Sequence, residues 1–68
     1  MVILTRCQRD GDAWSLIDQD TGDVLVLQES YGICNAVQFA LKHPEVTGTT
    51  EAYEVAARIR AHREQQNR

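Results

Sequence analysis

Apolar residues in the first half of the chain are grouped in three short runs separated by polar turn residues. The runs are rich in aliphatic and β-branched residues, which is typical of strands, and successive residues of each run would point to opposite faces of a sheet. These runs are residues 2–9, 13–18 and 24–27. Gly11 lies between the first two runs and Gly22 between the last two, and glycine accepts the positive φ of a tight turn. The pattern predicts a three-stranded antiparallel meander.

The period changes to that of an α-helix after Ser30, which can act as the N-cap. Apolar residues recur there at i, i+3, i+4, i+7 and i+8, so they form one stripe of a helix. They are Ile33, Ala36, Val37, Ala40 and Leu41. His43 precedes Pro44, and the residue before a proline is disfavoured in the α region, so helix one is predicted to end there.

A second helix is predicted from about residue 51 to about residue 65, with Thr49 or Thr50 as its cap. Its apolar stripe is narrow and consists of Ala52, Val55, Ala56 and Ile59. Its charged residues are expected to face outward, and they are Glu51, Glu54, Arg58, Arg60, Arg63 and Glu64. Residues 64–68 have nothing to bury and are expected to fray. Residues 1–68 are thus predicted to form one α+β domain of order β-β-β-α-α, with the helices packed on one sheet face.

Both faces of the predicted sheet carry apolar side chains. One face is expected to hold Ile3, Cys7, Ala13, Ile17, Leu25 and Leu27, and the other Val2, Leu4, Trp14, Leu16, Val24 and Val26. Because the helices can cover only one face, the second must be covered by something else. Trp14 is interpreted as the core anchor beneath the helices; the alternative places it on the uncovered face, as part of a protein-binding surface.

Length and charge narrow the function classes. A chain of 68 residues buries only about 60% of its unfolded surface, so a monomer would be marginally stable and pairing with a partner would help. The net charge of −3 and the pI of about 5.1 disfavour a protein that holds nucleic acid by bulk electrostatics. The N-terminal residues show neither a basic leader nor a long apolar run, so a cytoplasmic protein that does not enter the membrane is expected.

Residues 18–29 resemble the loop of an EF-hand calcium site. Asp18, Asp20 and Glu29 occupy loop positions 1, 3 and 12, but Gly22 and Asp23 stand in the reverse of the expected order at positions 5 and 6. An EF-hand also needs a helix on each side, and both flanks have strand patterns. The segment is therefore interpreted as a turn followed by a strand.

Metal and catalytic sites are not expected elsewhere in the chain. The candidate zinc ligands are scattered singly rather than in closely spaced pairs. They are Cys7, Cys34, His43 and His62. The start of a helix could lower the pKa of Cys34, but His43 is nine residues away, too far to meet it within one helix. The sequence therefore predicts no metal, no cofactor and no enzymatic activity.

The predicted function is that of a small protein-binding module, such as an inhibitor, an adaptor or an antitoxin-like regulator. It would act through a sheet face, a strand edge or helix two, and could pair with a second copy as a homodimer. Its candidate binding residues are Trp14 and Leu16 together with an acidic rim of Asp10, Asp12, Asp18, Asp20 and Asp23.

An accessory role in nucleic-acid binding is the alternative. Arginine binds phosphate through two parallel hydrogen bonds, and four arginines lie toward the C-terminus. They are Arg58, Arg60, Arg63 and Arg68. A three-stranded sheet backed by a helix is similar in topology to the arm-type DNA-binding domains of some phage integrases, which is an analogy of fold. Because the acidic turns would repel phosphate, the C-terminal helix rather than the sheet is expected to make such contacts.

Overall fold

A computed structural model describes residues 3–66 of the chain. The elements are β1 Thr5–Asp10, β2 Ala13–Asp18, β3 Val24–Glu29, α1 Tyr31–Lys42 and α2 Glu51–Gln66. The strands form one antiparallel sheet in the order β1-β2-β3, and the helices pack on one face of it. The predicted β-β-β-α-α architecture is confirmed.

The strand bounds differ from the predicted ones at three places, one of which is the end of β1 at Asp10 rather than at Arg9. β1 begins at Thr5 rather than at residue 2, although the carbonyl of Leu4 still accepts a hydrogen bond of 3.0 Å from the N–H of Gln19. β3 continues beyond its predicted end to Glu29, which pairs with Trp14. Residue 2 lies outside the described residues.

Both glycine turns are present. Gly11 has φ 66° and Gly22 has φ 79°, a left-handed backbone that an L side chain adopts only with strain. The first turn contains two residues between the paired positions Asp10 and Ala13, so it sets the register of β1 against β2. Local turn chemistry therefore fixes the first hairpin.

The register overturns the predicted grouping of the two sheet faces. Cys7 lies opposite Leu16, and Leu16 opposite Val26, so these three side chains share the face that α1 covers. Ile17 lies opposite Val24 and shares the other face with it. The prediction that Cys7 and Ile17 share a face is wrong, because a two-residue turn pairs odd-numbered residues of β1 with even-numbered residues of β2.

β3 is irregular at two points, and each is a bulge. The first puts Leu25 out of register with β2, and the second lies at Leu27 and Gln28. At the second bulge Gln28 has φ 52°, and its N–H donates a hydrogen bond of 3.2 Å to the hydroxyl of Ser15. β3 is therefore a bent edge of the sheet, whereas β1 is regular.

The core lies between the sheet and the helices. Its buried side chains are Ile3, Leu16, Val26, Cys34, Val37, Ala40, Leu41, Ala52 and Ala56. In α1 the buried stripe includes Cys34, whereas Ala36, which the sequence pattern places in it, is exposed. The predicted ends of α1 are confirmed, because the hydroxyl of Ser30 accepts a hydrogen bond from the N–H of Ile33 and the helix ends just before His43.

α2 packs chiefly against α1 through the small side chains of Ala52 and Ala56. The carbonyl of Thr50 accepts the first hydrogen bonds of the helix, so Thr50 is in the cap position. The helix continues to Gln66, so residues 64–66, which are expected from the sequence to fray, are helical. The last two residues of the chain lie outside the described part.

Two arginines of α2 are turned toward the body of the domain, and the prediction that they face outward is wrong. Arg60 donates a hydrogen bond to the carbonyl of Ala40 in α1, and Arg63 forms an ion pair with Asp18 in β2. Because the apolar stripe of α2 is narrow, these polar contacts add to the attachment of its second half.

Candidate functional site

One face of the sheet is left uncovered by the helices, and we term it the open sheet face. Three aliphatic side chains are exposed on it: Leu4 by 48%, Val24 by 54% and Leu27 by 65%. Ile17 lies on the central strand of this face, between Arg6 and Val24, and is only 7% exposed. We term these four side chains the apolar strip.

The strip exists because apolar residues stand at consecutive positions just before β1 and within β2 and β3. Ile3 and Val26, which precede Leu4 and Leu27, are buried in the core, and successive side chains of a strand point to opposite faces. Burial of Ile3 and Val26 in the core therefore leaves Leu4 and Leu27 in solvent. The sequence contains this signal, because both faces of the sheet are predicted to be apolar.

Acidic side chains stand at both ends of the open sheet face. Asp10 and Asp12 are exposed at the β1–β2 turn, and Asp20 and Asp23 are exposed at the β2–β3 turn. A strand the length of β2 spans about 20 Å at roughly 3.3 Å per residue, which separates the two pairs. Four of the five predicted rim acids thus flank the apolar strip, two at each end.

The fifth acid, Asp18, lies away from its predicted place on the rim, because it is only 1% exposed. Its carboxylate accepts hydrogen bonds from the N–H groups of Asp20 at 2.8 Å and Thr21 at 3.1 Å, and pairs with Arg63. Burial alone would raise the pKa of Asp18, but the hydrogen bond from Arg63, the two backbone hydrogen bonds and the charge of Arg63 together lower it. The calcium-like segment is thus a turn whose first carboxylate is already bound by the protein itself.

Trp14 and Leu16 lie on the covered face of the sheet. Leu16 is fully buried in the core. Trp14 is half-buried against the core and meets Tyr31 edge-on, with the ring centroids 4.8 Å apart and the planes at 64°. Trp14 is therefore a core anchor, the interpretation that the sequence favours, and neither residue reaches the open sheet face. The exposed members of the apolar strip take their place as candidate binding residues.

The C-terminal arginines do not converge on one exposed surface. Arg58 is exposed, but Arg60 is bound to a carbonyl of α1, and Arg63, with a side chain 17% exposed, is bound to Asp18. Arg68 lies outside the described residues. Two of the three predicted phosphate-binding arginines within residues 3–66 are thus engaged in the fold.

A groove of about 480 Å³ runs between the start of β3 and the last turns of α2. Its lining includes Leu25 and Ile59 together with Arg58, His62 and Arg63. The charge of Arg63 is already balanced by Asp18, and the groove is open to solvent. Asp23 lines the same groove, so the groove does not concentrate positive charge.

The thiol of Cys34 is buried and that of Cys7 is half-buried, and neither is an activated nucleophile. Burial raises the pKa of Cys7; burial, and after it the proximity of Cys7 and Glu29, raises that of Cys34. The pKa of Cys34 is thus raised, and the lowering that a helix start could cause does not outweigh burial. His43, which the sequence places too far along the helix to partner Cys34, packs its ring on Phe39 at a centroid distance of 4.5 Å. Within residues 3–66 no three His, Cys, Asp or Glu side chains are grouped closely enough to hold a metal ion.

Neither a membrane-spanning helix nor a similar known protein points to a function for the chain. No helix in the described part of the chain is both long enough and apolar enough to cross a membrane. No family model matches the sequence, and no curated protein or solved structure is similar enough to count as a match. A function for the chain has therefore to be inferred from its open sheet face.

Proposed function

We propose that the protein is a small, non-enzymatic protein-binding module whose binding surface is the open sheet face. The observation that carries this proposal is the exposure of Leu4, Val24 and Leu27 on one face of a sheet whose other face is covered. Single exposed aliphatic side chains are common, but three on one face of so small a domain form a patch. Burying that patch against a partner is favourable because it removes apolar surface from water.

The acidic ends of the open sheet face indicate the chemistry of the partner. A partner surface with an apolar centre and a lysine or arginine about 20 Å apart at each end would match both the strip and its flanks. Charge pairs at the rim mainly speed association and select the partner, while the buried apolar centre supplies most of the binding free energy. An inhibitor, an adaptor or an antitoxin-like regulator that occludes a basic surface on another protein would act in this way.

The other predicted roles have less support. Nucleic-acid binding through α2 would need arginines that are free, and Arg60 and Arg63 are already bound within the fold. The proposal excludes catalysis, and the raised pKa values of Cys7 and Cys34 support that exclusion, because a protonated thiol is a poor nucleophile. The cytoplasmic location expected from the sequence stays a prediction.

The double substitution Val24→Asp and Leu27→Asp tests the binding surface. Both side chains are more than half exposed, so the variant should fold, and circular dichroism checks that it does. Proteins retained from a cell extract by the wild type and by the variant are compared, and a purified candidate is then titrated by calorimetry. The variant is expected to bind that candidate on the order of 100-fold more weakly, because two charges would be buried without partners.

Phe39→Asp is the matched control. Phe39 is 49% exposed but lies on α1, on the other side of the molecule from the open sheet face, so its substitution should leave the binding unchanged. Asp20→Asn with Asp23→Asn should chiefly slow association and reduce its dependence on salt. A purified partner that binds the Val24→Asp, Leu27→Asp variant as tightly as the wild type would contradict the proposal.

A further inference from the structure

The two edges of the sheet differ in their readiness to pair. β3 is interrupted by two bulges and by the positive φ of Gln28, and bulges hinder the addition of another strand. β1 is regular over Thr5–Asp10 and contains no proline, and its charged residues are Arg6, Arg9 and Asp10. β1 is therefore the edge to which a strand can be added.

The backbone groups of alternate residues in β1 point to opposite sides within the sheet. The N–H of Gln19 donates to the carbonyl of Leu4, so the backbone of Leu4 faces β2. By the alternation of an antiparallel ladder, the even-numbered residues of β1 do the same, and the odd-numbered residues direct their N–H and C=O groups to the free edge. The odd-numbered residues are Thr5, Cys7 and Arg9.

One of these edge positions is already in use. The side-chain amide of Gln38 in α1 donates a hydrogen bond of 3.1 Å to the carbonyl of Thr5. Within residues 3–66 no hydrogen bond engages the edge-facing backbone groups of Cys7 and Arg9, so they are open to an added strand. The midpoint between those two residues is Gln8.

The charged side chains of β1 on the open sheet face are complementary to those of a second, antiparallel copy of the same strand. Arg6 and Asp10 carry opposite charges and lie at equal distances along the strand on either side of Gln8. When two β1 strands pair antiparallel about Gln8, each Arg6 lies opposite the partner's Asp10. A centre at Cys7 would need the occupied carbonyl of Thr5, and a centre at Arg6 would bring two arginines together.

We propose that the chain forms a homodimer in which two β1 strands pair antiparallel about a two-fold axis at Gln8. The backbone of Cys7 exchanges hydrogen bonds with the partner's Arg9, and the symmetry repeats the exchange. The two sheets join into one six-stranded sheet, so the two open sheet faces form a continuous surface. A two-fold axis uses the same surface on both copies, which is the condition that the Arg6 and Asp10 pattern meets.

α1 adds contact area beside the paired strands. Gln38 marks the side of α1 that lies over the β1 edge, and Tyr31, Asn35 and Lys42 lie on that side at helical spacing. In the dimer these sides of the two helices face each other across the axis. Tyr31 is 51% exposed in the single chain and has ring surface to bury there. A strand pair alone buries far less than the roughly 1,600 Å² of a standard interface, so this helix contact matters for stability.

Gln8→Cys tests the register. Two residues facing each other on the axis in a non-hydrogen-bonded pair have Cα atoms about 4.5 Å apart, within the range in which a disulfide closes. Under mild oxidation the variant is expected to run as a covalent dimer on a non-reducing gel. Arg6→Cys, on the same strand and face, and the wild type, with Cys7 and Cys34, are expected to run as single chains. A Gln8→Cys chain that does not cross-link, or an Arg6→Cys chain that cross-links equally well, overturns the register.

Reversing the charge at Arg6 or at Asp10 tests the pairing of the two β1 strands independently. Arg6→Asp and Asp10→Arg each place like charges opposite each other at two positions, and each should weaken the dimer on the order of tenfold or more in sedimentation equilibrium. The double variant restores opposite charges and is expected to dimerise like the wild type. Single variants that dimerise normally, or a double variant as weak as either single one, contradict the pairing.

The dimer goes beyond the proposed protein-binding function and fails separately from it. A wild-type chain that sediments as a monomer at every concentration overturns the dimer but leaves binding by the apolar strip untouched. A purified partner that binds the Val24→Asp, Leu27→Asp variant as tightly as the wild type overturns the binding role but leaves the Gln8→Cys cross-link unaffected.

Discussion

The two faces of the sheet carry the same kinds of residue and are used in opposite ways. Leu16 on the covered face is fully buried, whereas Leu27 on the open sheet face is 65% exposed. Neither residue type nor strand propensity distinguishes the two leucines; the register of the strands and the position of α1 do. The exposure of an aliphatic residue in a small sheet is thus a property of pairing rather than of local sequence.

This difference gives the two faces separate roles. The covered face stabilises the fold, because α1 removes its side chains from water. The open sheet face holds apolar surface that folding leaves in water and that association can still bury. A chain of 68 residues has a total stability of roughly 3–10 kcal/mol, so substitutions on the covered face should decide whether it folds at all.

The largest effect is expected from truncating the covered face. Leu16→Ala removes a fully buried side chain and leaves a cavity, which lowers the free energy of unfolding by about 4 kcal/mol. Leu27→Ala makes the same chemical change on the open sheet face and should cost less than about 0.5 kcal/mol. Urea denaturation followed by circular dichroism measures both values. Similar losses at the two leucines would contradict the division between the faces.

The next largest effect is expected at the ion pair that joins the covered face to α2. Asp18→Ala leaves the guanidinium of Arg63 without its partner and removes the acceptor of two backbone N–H groups, which should cost about 3 kcal/mol. Asp20→Ala changes an exposed carboxylate in the same turn and is the control, expected to cost about 0.5 kcal/mol or less. Equal losses in urea denaturation would show that the pair does not stabilise α2.

The same carboxylate predicts how stability depends on pH. The fold lowers the pKa of Asp18 from its ordinary value of 3.8, so the unfolded chain takes up the proton more readily than the folded chain. The stabilisation from Asp18 is therefore complete above the ordinary value and is lost as the pH falls through the lowered, folded value. Urea titrations from about pH 7 to about pH 2 should show a steeper loss of unfolding free energy for the wild type than for Asp18→Asn. If the unfolding free energies of the two proteins fall in parallel with pH, other groups cause the loss of stability in acid.

The first hairpin and α1 could be predicted from the sequence. The turn at Gly11, the cap at Ser30 and the stop at His43 follow from local backbone chemistry, and all three are confirmed. The register of β1 on β2 follows as well, because a two-residue turn fixes which residues face each other. Counting residues across that turn places Cys7 opposite Leu16. Alternation within each strand does not, because it does not relate one strand to the next.

β3 and the inner side of α2 could not be predicted in the same way. A bulge shifts the alternation of a strand, and no residue type in the sequence marks its position. Gln28 is also not a residue type that favours positive φ. Arg63 and Asp18 are 45 positions apart in the chain, and only the packed structure brings them together. Arginine on a surface helix is usually exposed, so the sequence alone predicts that Arg60 and Arg63 face outward.

The smallest effect is expected at the bulge on β3. Gln28 has φ 52°, a conformation that costs a residue with a Cβ about 1 kcal/mol and that glycine adopts freely. Gln28→Gly should therefore raise the free energy of unfolding by about 0.5 kcal/mol, even though it removes the exposed hydrogen bond of 3.4 Å to Asp10. No comparable gain is open to Leu16, where any smaller side chain leaves a cavity.

Gln28→Ala separates strain from the lost hydrogen bond, because it removes the same amide and keeps the Cβ. It is expected to lower the free energy of unfolding by a few tenths of a kcal/mol, so the two variants should differ in sign. Equal losses would mean that the bulge is not held in a strained conformation. β3 could then straighten at little cost, and the structural reason for placing strand addition at β1 rather than at β3 would be removed.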